Sequence, residues 1–138
     1  MIPAELRTVL LVDDDEDCHA MYGDYLRHLG FAFLSARDGL EGLEVTRAQL
    51  PSFVVMDVRL PKLDGLEATK RLKADSRTAG IPVILLTAHA EKSMIPCAQE
   101  SGCDAFLTKP CTPADLLAEI ERVMSGEASV ERRQGART

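Results

Sequence analysis

Five short apolar runs, each followed by a segment of helical periodicity, constrain this chain more than any other feature. The runs occupy residues 9–12, 31–34, 53–56, 83–86 and 105–107. Between the first two, Cys18, Met21, Tyr22, Tyr25, Leu26 and Leu29 recur at helical spacing, and Gly30 closes the segment as a helix C-terminus does. Further helical patterns cover about residues 39–48, 66–73, 91–100 and 113–124. Strands that are apolar throughout, in strict alternation with helices, predict an α/β fold. It is a single doubly wound, five-stranded parallel sheet covered by helices on both faces. The 138 residues suffice for one such domain and its core. We set its limits at residues 1–125 and expect the segment 126–138, which has no apolar periodicity, to be a disordered tail.

Composition removes several function classes. A hydrophobic fraction of 46% with 28% charged residues excludes disorder of the whole chain. The formal net charge of -6 speaks against nucleic acid as a partner. The apolar run near the start is too short for a signal peptide and no later one approaches membrane-spanning length, so we expect a cytoplasmic protein with no membrane partner. Cys18, Cys97, Cys103 and Cys111 form no C-x-x-C pair and no zinc spacing, and are expected to be buried or incidental thiols.

In open parallel sheets, ligands bind beyond the carboxyl ends of the strands, where the strand order reverses. Just past the runs stand Asp13 and Asp14, then Ser35 and Ala36, then Asp57, Thr87, and finally Lys109 before Pro110. The second run ends in nothing distinctive. The other four bring carboxylates, a hydroxyl and an ammonium to one edge. Acids are densest in LLVDDDED, residues 10–17. Two carboxylates ~5 Å apart at an effective dielectric of ~20 repel by roughly 3 kcal/mol. Asp15, Glu16 and Asp17 suit a helix start, where acids meet free N–H groups and the positive end of the dipole. For Asp13 and Asp14 two readings stand: solvated turn residues, or ligands of a cation.

The segments LLVDDD, VVMDVRLPKLDG, ILLTAHA and DAFLTKP, in this order and spacing, resemble the receiver domain of two-component response regulators. The resemblance covers about residues 7–125. It implies the flavodoxin-like (βα)5 fold with strand order 2-1-3-4-5, and Asp57 as phosphoacceptor. It further implies Mg²⁺ held by Asp13, Asp14, Asp57 and the backbone carbonyl of Arg59, with Thr87 and Lys109 contacting the phosphoryl group. Thr87 and Phe106 would form the switch, and the Lys109–Pro110 peptide would be cis. The implied partners are a sensor histidine kinase or histidine phosphotransfer protein upstream, and downstream a protein bound at the face of the fourth helix, fifth strand and fifth helix. Such a domain is not an enzyme with a separate substrate; it catalyses only its own phosphotransfer and dephosphorylation. The chemistry agrees: phosphoryl transfer needs positioning and charge neutralisation, and one oxygen-loving dication together with Lys109 balances the three carboxylates.

Two alternatives share some of these residues. A haloacid-dehalogenase-type phosphatase also uses a strand-end Asp with Mg²⁺ and would find a D-x-D in Asp13 to Asp15, but it places its nucleophile on the first strand, the reverse of the order here. A pseudo-receiver would keep the fold as a binding module without phosphorylation; its usual sign, loss of an acid or the lysine, is absent from this sequence. Two departures from the family pattern, Leu63 and Pro96, stand out. Leu63 replaces the usual Met, a volume-conserving change. Phe106 is an ordinary family alternative to Tyr and lacks the phenol that would want a partner when buried. Pro96 falls within the fourth helical pattern, which should therefore start late, kink or be short. His89 reads as a solvated loop residue or else as a modulator of phosphate lifetime. His19 and His28 are expected on the exposed side of the first helix.

Overall fold

Short side chains bearing an acceptor oxygen open four of the five helices. Asp15 accepts from the Asp17 N–H, Asp38 from Glu41 and Asp64 from Glu67, while Thr112 and Asp115 form a reciprocal capping box. The computed structural model describes residues 7–88 and 95–126. In them the order is β1 (Thr8–Val12), α1 (Glu16–His28), β2 (Ala32–Ala36), α2 (Gly39–Gln49), β3 (Phe53–Asp57), α3 (Gly65–Ala74), β4 (Val83–Ala88), α4 (Ile95–Glu100), β5 (Ala105–Lys109) and α5 (Pro113–Met124). The strands form one sheet in the order β2-β1-β3-β4-β5. All four pairings are parallel, with Val9 opposite Phe53, Val54 opposite Val83 and Leu85 opposite Phe106.

Because successive side chains on a strand face opposite ways, two cores result. On one side Leu11, Phe53 and Leu86 pack in a cluster with Tyr22 and Leu26 of α1 and Ile120 of α5. On the other, Leu10, Met56 and Leu85 join Leu43 of α2 and Ala68 and Leu72 of α3. Fully burying a side chain of this size is worth roughly 1.5–3 kcal/mol relative to leaving it exposed, and this explains why the central strands are apolar at every position.

The second strand differs from the sequence expectation in its start and in its burial. Phe31 belongs to the end of α1 and not to β2. Gly30, at φ 94°, donates to the Arg27 carbonyl, and Phe31 donates to that of Leu26. This is a Schellman closure, and it turns the Phe31 side chain onto Leu26 in the core. β2 itself is an edge strand, buried only at Ala36, so its apolar residues are not covered on both faces. Within α4, Pro96 lies in the first described turn, where a missing N–H removes no bond of the described helix. Residues 91–94 of the expected fourth helix, His89 and residues 127–138 of the expected tail lie outside the described residues. Among the described residues no helix is long and apolar enough to cross a membrane.

Candidate functional site

The chain leaves β1 toward β2 on one side and leaves β3 toward β4 on the other, so a crevice opens above the carboxyl ends of β1 and β3. Asp13 and Asp14 follow β1 directly, and Asp57 is the last residue of β3. One carboxylate oxygen from each of the three lies within 4.8 Å of the others. Asp13 is buried, Asp57 partly buried and Asp14 exposed. Lys109, the last residue of β5, reaches across: its Nζ donates to Asp13 Oδ2 and to Asp57 Oδ2, each at 3.3 Å. The peptide between Lys109 and Pro110 is cis. Beside Asp14 the crevice widens into an open cleft of about 410 Å³, lined also by Val58, Arg59, Leu60, Pro61 and Asp64.

Backbone constraints hold this cluster in place. Asp13 Oδ1 accepts the Asp15 N–H at 2.9 Å, which folds the acid turn back on itself. The Arg59 N–H donates to the Asp57 carboxylate. α3 begins directly against the Asp57 peptide: Gly65 donates to the Val58 carbonyl at 2.8 Å, and a Cβ on Gly65 would stand 2.2 Å from the Asp57 carbonyl oxygen.

Electrostatics follow from the crowding. Burial pushes the Asp57 pKa above the ordinary aspartate value and Asp13 adds to the rise, while Lys109 opposes it. For Lys109, burial works against the ammonium, but Asp57 and Asp13 outweigh it and hold its pKa above the ordinary value. Three hard oxygen donors on one crevice, two of them sharing a single ammonium, are a donor set of the kind that Mg²⁺ takes.

Thr87 is 1% exposed, and among the described residues its Oγ1 has no hydrogen-bond partner. Leaving such a group unsatisfied costs about 1–3 kcal/mol, so it calls for a reason. Its neighbour Leu86 is in register with Asp57, which brings the hydroxyl residue to the same edge as the acids. Phe106 is buried in the cluster that also holds Met56 and Leu85. Asp13, Asp14, Asp57, Thr87 and Lys109 are thus brought to one edge of the sheet, with Arg59 lining the adjoining cleft.

One residue of this region was misplaced by the sequence reading. His28 is exposed as expected, but His19 is buried, at 6% exposure. Its ring sits edge-on to Phe33, with centroids 6.4 Å apart. Nε2 lies 2.6 Å from the Asp13 carbonyl oxygen and Nδ1 3.1 Å from Ser35 Oγ. The signal was available: residues 19, 22 and 26 fall on one helical face, and Tyr22 and Leu26 are core residues. All four cysteines are free thiols; Cys103 and Cys111 are buried, Cys18 is intermediate, and Cys97 is exposed. Burial pushes the Cys18 thiol up to about 12 and that of Cys103 up to about 11.

Fold and crevice place the chain among the flavodoxin-like α/β proteins whose ligand chemistry sits at the carboxyl ends of the first and third strands. Within that class, the sequence model of the response regulator receiver domain matches residues 9–121, and the chain belongs to that family of two-component signalling domains. The polar-differentiation response regulator DivK of Brucella anthropi is 36% identical over 115 residues, 83% of this chain and 94% of that protein. Among solved structures, a putative response regulator from Chloroflexus aurantiacus superposes with a TM-score of 0.81 at 31% identity, covering 86% of this chain and 98% of the other. The chemotaxis response regulator CheY4 of Vibrio cholerae gives 0.80 at 27% identity, with coverage of 86% and 98%. The receiver domain of a sensor histidine kinase from Pseudomonas aeruginosa, which has a magnesium ion coordinated in its active-site cleft, gives 0.79 at 29% identity over 86% and 98% of the two chains.

Proposed function

We propose that Asp57 accepts a phosphoryl group from a sensor histidine kinase or a histidine phosphotransfer protein in the cytoplasm, and that the modified domain, residues 1–125, signals through a changed protein-binding surface. The observation that carries this reading is the convergence of the Asp13, Asp14 and Asp57 carboxylates on one crevice, with the Lys109 ammonium 3.3 Å from two of them. Asp13, Asp14, Asp57 and the Arg59 carbonyl would hold Mg²⁺. Bound there, the ion would neutralise charge on the phosphoryl oxygens and help align them.

This chain's own groups do the rest. An Asp57 carboxylate oxygen attacks phosphorus in line with the donor nitrogen; the P–O bond forms as the P–N bond breaks, and the imidazole of the donor keeps the electron pair. Burial of Asp57 keeps competing water from surrounding the nucleophile. Lys109 pairs with a phosphoryl oxygen. The Thr87 hydroxyl, without a partner among the described residues, donates to another, and charge-assisted bonds of this kind are the stronger ones. Movement of Thr87 then biases the packing of Phe106. The altered surface of α4, β5 and α5 recruits a downstream protein through its differential affinity for the two states.

The phosphatase alternative loses its D-x-D, because the Asp15 side chain caps α1 by accepting the Asp17 N–H at 2.9 Å. The test is transfer from a labelled phosphohistidine donor domain. Label should move to the chain in Mg²⁺ and stay on the donor in EDTA. Failure of transfer in both, with the donor active toward another receiver and a small-molecule phosphodonor equally without effect, would point to the pseudo-receiver.

A further inference from the structure

We infer that His19 is a positioning residue for the acid turn, acting through the Asp13 peptide and not through a metal or phosphoryl contact of its own. The reading rests on the proposed role of Asp13 and Asp14 as metal ligands. A carbonyl oxygen only accepts, so the 2.6 Å contact to Asp13 requires a proton on Nε2 of His19. In the neutral ring Nδ1 is then the acceptor, and the Ser35 hydroxyl, 3.1 Å away, donates to it. Ser35 therefore selects the tautomer that His19 needs, as the outer partner of a metal-bound histidine commonly does.

The ring joins three elements at one point. It stands on α1, touches Ser35 of β2 and holds the last peptide of the β1 end. The other groups of Asp13 are held separately: its N–H donates to the Ala36 carbonyl, and its carboxylate takes Lys109 and the Asp15 N–H. Asp14 is exposed, so its direction depends on the peptide that links it to Asp13. That peptide is the one whose oxygen His19 grips. Arg37, ion-paired to Glu16, packs on the outer side of the ring; its nitrogen 3.4 Å from Nε2 only donates, so with the Nε2 proton given to the Asp13 carbonyl at 2.6 Å this contact is packing and not a hydrogen bond. His19 thus fixes the orientation of both acids without facing the crevice itself.

The test compares Mg²⁺ affinity by calorimetry in wild type, His19→Met, His19→Gln and Ser35→Ala. His19→Met keeps the bulk and removes the donor, and should weaken Mg²⁺ binding by about 10-fold, the usual scale for outer-shell partners. His19→Gln, which can return an N–H near the Nε2 position, should stay close to wild type, with Ser35→Ala between the two. The rate of phosphorylation at saturating Mg²⁺ should be nearly unchanged in all three, since Asp57, Thr87 and Lys109 are untouched. A merely structural role would lower the melting temperature without this split between affinity and saturated rate. Equal affinity in His19→Met and wild type overturns the inference, as does a His19→Gln chain as weak as His19→Met. Should His19→Met not fold, an unaltered affinity in Ser35→Ala overturns it instead. Absence of Mg²⁺ binding by the wild-type chain would instead refute the proposed function, and the inference with it.

Discussion

Asp57 is held at a cost that its pKa records. Burial and the nearby Asp13 make its charged form less favourable in the folded chain than in water. Between the unfolded value of about 3.9 and the raised folded value, the native state binds more protons than the unfolded state, so the Asp57 contribution to stability falls as pH rises. Asp57→Asn removes that term while Asp13 continues to pair Lys109. In metal-free buffer near neutral pH the variant should therefore melt no lower than wild type, and the gap should shrink as pH drops through the window. Thermal melts across pH in EDTA check this; a wild type that gains on the variant as pH rises would contradict it. The two acids of the turn should separate as well. Asp13 is buried and bonded to Lys109 and the Asp15 N–H, so Asp13→Ala should destabilise by about 1–3 kcal/mol. Exposed Asp14 should tolerate Ala with little change in metal-free stability but lose the stabilisation that added Mg²⁺ provides. These residues were legible because each stands directly after an apolar run. The burial of His19 was legible from the face it shares with Tyr22 and Leu26, but its role was not, since its partners are a backbone carbonyl and a residue on another strand.

At the scale of elements, the two ends of the sheet carry different duties. At the amino ends of β4 and β5, Lys73 Nζ donates to Asp104 at 2.9 Å and to the Ala79 and Ile81 carbonyls, while Asp104 also accepts the Val83 N–H. Lys73→Met should lower stability in urea by about 1–3 kcal/mol and leave phosphorylation of Asp57 intact, because the crevice lies at the opposite edge. Gly65→Ala should instead impair both stability and phosphorylation. Its Cβ would collide with the Asp57 carbonyl, so α3 must shift off β3, and the nucleophile with it. Phosphorylation should fall along with a stability loss of about 1–3 kcal/mol, the usual penalty of overpacking. Helix positions were readable from capping acids and from periodicity. The start of β2 was misread because an apolar Phe31 next to a strand looks like strand, whereas the Schellman turn claims it for α1.

For the whole molecule, strict alternation specified a doubly wound parallel sheet, since the other arrangement that buries parallel strands on both faces, the closed barrel, takes eight units and this chain has five. It did not specify strand order. The order 2-1-3-4-5 came with the motif resemblance, and it matters because it makes β1 and β3 neighbours and so creates the crevice. The conformational response was the least legible, as it depends on packing that no local pattern encodes. Phe106 is buried, at 1% exposure, so the proposed switch works by repacking a ring inside the core. A phosphoryl mimic such as beryllofluoride should shift the Phe106 ring resonances in wild type and much less in Thr87→Ala; equal shifts in both would uncouple the two residues.

The central claim is that Asp57 is the nucleophile. Phosphorylating the chain with a small-molecule donor in Mg²⁺, reducing the acyl phosphate with borohydride and mapping the reduced residue by peptide mass spectrometry tests it most directly. The account predicts reduction at residue 57 alone and none in Asp57→Asn; reduction at Asp13 or Asp14, or an undiminished adduct in the variant, would contradict it.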